Sequence, residues 1–349
     1  MKIKDICFRN YKKFVTETKF SFLNPDGKVN DLTLIVGNNG TGKTSLLQAI
    51  VAMIAPLTRE GYEASKIDWS GFEYRYIQSG QMPLNIHATI EFSDSELEET
   101  IQLVKKLNEL GNKLEIPSNN REVKILFDYH ANQPLTSNAL QFGGYQYAKR
   151  LTDFEPDKTK LFEKVGNIYW YTEQRTSSSV NDIFNKEIPQ IDSIRAFLSN
   201  AYNFHIAVTE KGRKLKEGQF DFYEKLSKLY STVFTDRKFV GSAPRFDLFE
   251  KSPTPDFFLT DGNNQYELSE MSAGERAIFP ILMDFARYNI NHSIIIIDEV
   301  ELHLHAPLQQ AFIRALPKMG NNNQFILTSH SDNVAALFDE SENQIIRLK

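Results

Sequence analysis

Gly37-Asn38-Asn39-Gly40-Thr41-Gly42-Lys43-Thr44 is the stretch on which the fold turns. It matches the pattern G-x-x-x-x-G-K-[ST]. Before it, DLTLIV (31–36) is a short apolar run that reads as a strand. After it, Leu46, Leu47, Ile50, Val51 and Ile54 recur at helical spacing, and Pro56 is expected to end the pattern. Strand, glycine loop and helix together make a phosphate-binding loop. The glycines let the backbone curl so that successive N–H groups converge on one anion. The helix N-terminus adds its unpaired amides. Gly37 to Ser45 would line the phosphates, Lys43 would reach the outer ones, and Thr44 would hold Mg²⁺.

Further along lie the pieces that could act on such a phosphate. Ile294 to Ile297 form a wholly apolar strand ending in Asp298-Glu299. In open α/β sheets, ligands sit at the carboxyl ends of strands. Asp298 would bind the metal, and Glu299 would polarise an attacking water. Thr328-Ser329-His330-Ser331 follows another apolar run, QFIL, so His330 could touch the terminal phosphate. Gln174 follows NIYWYT (167–172) and is a candidate metal or water ligand, with Gln78 and Gln81 as competitors. Ser272-Ala273-Gly274-Glu275-Arg276 opens a helical pattern with a Ser/Glu capping box. A small, glycine-containing helix start is also a second place for an anion. Pro280 should kink that helix.

Around these motifs the composition is that of an ordinary globular protein. In 349 residues, 41% are hydrophobic and 24% charged, which excludes a chain disordered throughout. Forty Lys+Arg against 45 Asp+Glu give a net charge of -5, too acidic for a protein that coats nucleic acid along its whole surface. Lys211, Arg213, Lys214 and Lys216, with Lys225 and Lys228, are the best local basic patch, interspersed with Glu210, Glu217 and Glu224. A solvated helix face explains it slightly better than nucleic-acid contact. Cys7 is the only cysteine, so an internal disulfide and a multi-cysteine metal site are excluded. No apolar run approaches the roughly 18 residues that cross a bilayer. A cytoplasmic protein is the expectation.

Three stretches organise the chain. Residues 1–180 carry the phosphate loop, strands at 84–92 and 122–130, and an amphipathic helix capped by Ser93 or Ser95. Residues 181–250 read as a helical lobe, with helical pattern from about 181 to 235. Residues 251–349 start with a hairpin at 257–268 and then alternate helix and strand.

The order of phosphate loop, glutamine, SAGE, IIIIDE and histidine resembles the ABC-type ATPase heads of the SMC, RecF and OLD families. The likeness rests on GNNGTGKTS, LSEMSAGER, IIIIDEVELHLHAP and ILTSHS, with FRNYKKF near the start. It covers about residues 1–55 and 257–349; the middle is similar in pattern only. It implies an α/β P-loop NTPase, a two-lobed ABC-type head with a helical insert. It also implies ATP and Mg²⁺ as ligands and a homodimer that sandwiches two ATPs. Ser272, Gly274 and Glu275 would then serve the partner's ATP, and Glu301 to His305 would form the interface loop. The family's proline after Asp-Glu is Val300 here. His303 and His305 form an H-x-H pair that this context explains without a metal.

The interval between phosphate loop and signature is too short for the long coiled coils of SMC proteins and looks like compact OLD-type or defence-associated ATPases. Only 19 residues follow His330, too few for an appended nuclease. A separate effector, a nuclease or toxin, is therefore expected, under an ATP-driven dimer switch in anti-phage defence or DNA repair. A transporter ATPase subunit and a non-hydrolysing scaffold or inhibitor of a toxic partner are the alternatives.

Overall fold

The computed structural model describes residues 1–73, 84–128, 133–174, 191–243 and 255–349. Gln78, Gln81 and the start of the expected helical stretch at 181–190 lie outside them.

Strands β1 (Lys2–Arg9), β2 (Thr18–Ser21), β4 (Asn85–Glu91), β5 (Glu122–Asp128) and β6 (Gln133–Leu135) form an antiparallel sheet in the order β2-β1-β4-β5-β6. Side chains on β4 and β5 alternate, so Ile86, Ala88, Ile90, Val123, Ile125 and Phe127 face the core. A second sheet holds β3 (Leu32–Val36), β7 (Ile168–Tyr171), β11 (Ile294–Ile297), β12 (Gln324–Ser329) and β13 (Ile345–Arg347). It is parallel, in the order β13-β3-β12-β11-β7. Every residue of β7, β11 and β12 is buried, as expected of a parallel sheet covered on both faces.

Helix α1 (Lys43–Thr58) is buried on nearly every side and packs on strands of both sheets. Its run from Leu46 to Ala55 joins Ile3, Phe8, Ile90, Trp170, Ile296 and Ile326 in one core. Pro56 does not end this helix. Its missing N–H falls in the last turn, and Arg59 still bonds back to the Ala55 carbonyl at 3.0 Å. Helix α2 (Asp94–Glu109) is capped by Ser93, which accepts from the Glu96 amide, and packs with α3 (Gly144–Leu151) in a satellite core. A short α8 (Asp332–Ala335) follows β12.

These elements belong to one unit, built from residues 1–178, 290–301 and 320–349. The second unit holds 179–289 and 302–319, so the stretch 251–349 is divided between the two. The second unit contains α4 (Ile191–Thr209), α5 (Phe222–Val233), β8 (Lys238–Ala243), β9 (Asp256–Thr260), β10 (Gln265–Glu267), α6 (Ala273–Tyr288) and α7 (Ala306–Ala315). The stretch read as helical is thus two helices separated by a loop. The hairpin of β9 and β10 gains β8 as a third antiparallel strand. An aromatic core joins these parts: the Tyr230 ring lies 4.6 Å from Phe234 and 4.6 Å from Phe239. Helix α6 continues through Pro280 to Tyr288. No helix among the described residues is long and apolar enough to cross a membrane.

Candidate nucleotide site

The parallel register places the C-terminal ends of β3, β12, β11 and β7 along one sheet edge: Val36 pairs with Ser329, and Ile297 with both Leu327 and Tyr171. The phosphate loop follows β3, Asp298-Glu299 follow β11, His330 follows β12, and Glu173-Gln174 follow β7. Four motifs far apart in sequence therefore meet on one edge.

The phosphate loop has the backbone its pattern requires. Gly42 is the N-cap of α1 with φ +104°, where an L side chain is strained, and a Cβ there would stand 3.0 Å from the Phe14 ring. No side chain caps this helix and its first turn holds no acid, so its amides and dipole remain available to an anion. Asn38, Asn39 and Gly40 are exposed. The Lys43 amine is folded onto its own loop, donating to the Gly37 carbonyl at 2.7 Å and that of Asn38 at 3.2 Å.

Thr44 Oγ1 donates to Asp298 Oδ2 at 2.8 Å, joining phosphate loop to acidic strand end across 254 residues. Thr328 does the corresponding work from β12. Its hydroxyl donates to Asp298 Oδ1 and accepts from the Glu299 amide at 2.8 Å. Asp298 is 1% exposed. Burial pushes its carboxyl pKa up, the two threonine hydroxyls push it down, and the neighbouring Glu173 and Glu299 carboxylates push it up again. A buried carboxylate beside a threonine hydroxyl is a hard, all-oxygen donor set, and a small divalent cation suits it. Mg²⁺ fits these residues. Glu299 itself sits at φ +46°, a left-handed conformation uncommon outside glycine. Gln174 is exposed at the end of β7.

His330 is half exposed and is gripped by Glu301. One carboxylate oxygen of Glu301 accepts from the His330 amide at 2.7 Å and lies 2.9 Å from its Nδ1. The family resemblance implies an interface loop for Glu301, and nothing in the sequence pairs it with the histidine. His303, also assigned to that loop, is exposed at φ +64°, and His305 caps α7 by accepting from the Leu308 amide at 3.3 Å.

The signature residues lie in the second unit. Ser272 caps α6 in the expected capping box. Gly274 is closely covered: a Cβ there would stand 2.6 Å from Leu308. The Glu275 carboxylate, 1% exposed, points inward. It accepts from Tyr230 at 2.6 Å, Tyr266 at 2.5 Å, the Ser272 amide at 2.8 Å and the Ser272 hydroxyl at 2.7 Å, and it pairs with Arg237. Burial alone would raise its pKa, but these donors hold it at about 2. Its bonds are all internal to the unit, and what it holds in place is the Ser272 turn. Nothing in the spacing of Tyr230, Arg237 and Tyr266 signals this convergence.

In the basic stretch, Lys211, Arg213, Lys214 and Lys216 are exposed on the loop after α4, and the Arg213 guanidinium lies 5.1 Å from the Phe204 ring centre. Lys228 pairs with Glu224 at 2.6 Å, while burial lowers the pKa of Lys225, which bonds Asn289 at 3.0 Å. Only the loop cations form an open group.

Residues 1–335 match the family described as AAA ATPase domain. Retron Vc95 probable ATPase of Vibrio cholerae serotype O1 biovar El Tor is 24% identical over 400 aligned residues, spanning 99% of this chain and 73% of that protein. Retron Ec83 probable ATPase of Escherichia coli is 24% identical over 396, spanning 99% and 72%. Among solved structures, an SMC head bound to the C-terminal winged-helix domain of ScpA superposes with a TM-score of 0.51 at 13% identity, covering 97% of this chain and 92% of that one. That likeness is one of fold: an α/β P-loop head of the SMC type. The match over residues 1–335, with its phosphate loop and acidic strand end on one sheet edge, places this chain in the AAA ATPase domain family.

Proposed function

We propose that this chain binds and hydrolyses Mg²⁺·ATP at the edge built from Gly37–Ser45, Asp298, Glu299 and His330, and that ATP drives a homodimer switch controlling a separate effector. The observation that carries the reading is the Thr44–Asp298 bond, which brings the phosphate loop to the acidic strand end. The loop amides would bind the phosphates, with Lys43 turning from its carbonyls to the outer oxygens. Thr44 and Asp298 would hold Mg²⁺, with Gln174 as a further ligand. The ion supplies charge neutralisation on the transferred phosphoryl group. Glu299 would orient the attacking water. Ser272 and Gly274, on the turn that Glu275 holds, would meet the partner's nucleotide.

The two curated relatives carry retron names, which favours an effector-coupled switch in anti-phage defence. The exposed cations at 211–216 are the proposed nucleic-acid contact.

Glu299→Gln tests the core of this reading. With Mg²⁺·ATP it should accumulate as an ATP-bound dimer by size-exclusion chromatography with light scattering. Lys43→Ala should stay folded, bind no ATP and remain monomeric. A Glu299→Gln variant that binds ATP and stays monomeric would overturn the dimer switch. Unchanged phosphate release in that variant would overturn the role of Glu299.

A further inference from the structure

Glu301 takes no part in the nucleotide contacts proposed for this edge. Its side chain is 7% exposed, far drier than that of His330 at 50%. Oε1 takes both the His330 amide and the Nδ1 edge of the ring. Oε2 is also buried and has no hydrogen-bond partner among the described residues. Burying a carboxylate with one oxygen unbonded is costly unless a cation stands beside it. Among the described residues, the basic group beside this carboxylate is the His330 ring, whose Nδ1 lies 2.9 Å from Oε1.

The backbone makes this contact deliberate in shape. The left-handed turn at Glu299 sends the chain across the end of β12, where the Glu299 amide meets the Thr328 hydroxyl at 2.8 Å and the Val300 amide meets the Thr328 carbonyl at 3.0 Å. Thr328 of β12 is thereby locked to Asp298, Glu299 and Val300 after β11, and residue 301 arrives beside residue 330.

Hydrogen-bond logic then fixes the ring. A carboxylate only accepts, so an Nδ1 that bonds Glu301 carries a proton. In a neutral ring Nε2 would be a lone-pair acceptor, unable to bond a phosphate oxygen. Only the imidazolium donates from Nε2. We propose that Glu301 is a positioning residue that sets nucleotide discrimination: it holds His330 by Nδ1 so that the ring presents a charged Nε2–H to the terminal phosphate of a nucleoside triphosphate. This rests on the nucleotide reading of the same edge. A diphosphate lacks the oxygen that this donor would meet, so Glu301 acts on ATP binding and leaves ADP binding alone.

The test measures affinities for ADP and for a β,γ-imido ATP analogue, both with Mg²⁺, on the full chain and on Glu301→Gln, His330→Ala and the double variant. Each single change should weaken the triphosphate analogue roughly tenfold or more and leave ADP within about twofold. The double variant should be no weaker than the worse single. Equal loss of both nucleotides in Glu301→Gln, no loss, or additive losses overturns the inference. Should Glu301→Gln not fold, the unaltered chain decides: with ¹⁵N-labelled histidine and the analogue bound, both ring nitrogens of His330 should carry protons. An Nδ1 without a proton overturns the inference. A wild-type chain that binds both nucleotides but shows that result keeps the proposed function and loses only the role of Glu301; a chain that binds neither loses both.

Discussion

Replacing Glu275 by glutamine changes one buried oxygen to an amide and tests how the signature turn is held. The glutamine oxygen can still accept from Tyr230 and Tyr266. Its NH₂ would face the Ser272 amide and hydroxyl and the Arg237 guanidinium, all donors. The magnitude follows from the carboxyl pKa, which folding lowers from an ordinary 4.5 to about 2. At about 1.4 kcal/mol per pH unit, that is about 3 kcal/mol of stability at neutral pH. Because the folded value is the lower one, the contribution is complete above pH 4.5 and is lost as the pH falls towards 2. Urea unfolding followed by circular dichroism at pH 7 and pH 3 measures it, with hydrogen exchange of the 265–288 segment as the local readout. The wild type should exceed Glu275→Gln by about 3 kcal/mol at pH 7 and by about half of that at pH 3. Exchange at Ser272 should quicken in the variant. A difference below about 0.5 kcal/mol at pH 7, within the ordinary range of surface substitutions, refutes the reasoning. So does a difference that does not shrink in acid.

Thr328→Val keeps the shape of the side chain and removes its hydroxyl from Asp298 and from the Glu299 amide. The loss of about 1–3 kcal/mol should appear as Mg²⁺·ATP affinity at least about fivefold weaker, read by calorimetry, and unchanged affinity would discard the bridge. Gly320 has φ +70°, and a Cβ there would fall against the Ile290 carbonyl. Gly320→Ala should therefore cost about 2 kcal/mol or more, seen as a lower unfolding midpoint, and a neutral result would contradict the strain.

Much of the site was open to reading because its parts are local. The phosphate loop needs glycines and a Lys-Thr pair at set spacing, and a strand-to-helix context that eight neighbouring residues announce. The Ser272–Glu275 capping box is a three-residue relation within one turn and is present as read. Pro56 misled because it forfeits a single i→i−4 bond, and the helix still closes two residues further on with the Arg59 amide on the Ala55 carbonyl. The third strand β8 was missed because its pairing partner, β9, lies beyond residue 255, and a strand without its neighbour has little local signature.

Long-range partners were out of reach for the same reason. The amino-acid sequence by itself determined which candidate groups the chain carries: the phosphate loop, the paired acids after an all-isoleucine strand, and the histidine after QFIL. Tertiary structure alone decided how those groups are held. It set Thr328 between Asp298 and Glu299, turned Glu301 onto His330, and closed Tyr230, Tyr266 and Arg237 around Glu275. Backbone propensity acts over a few residues. The cost of burying a carboxylate is met by whichever donors the packed chain brings near, from any distance along it.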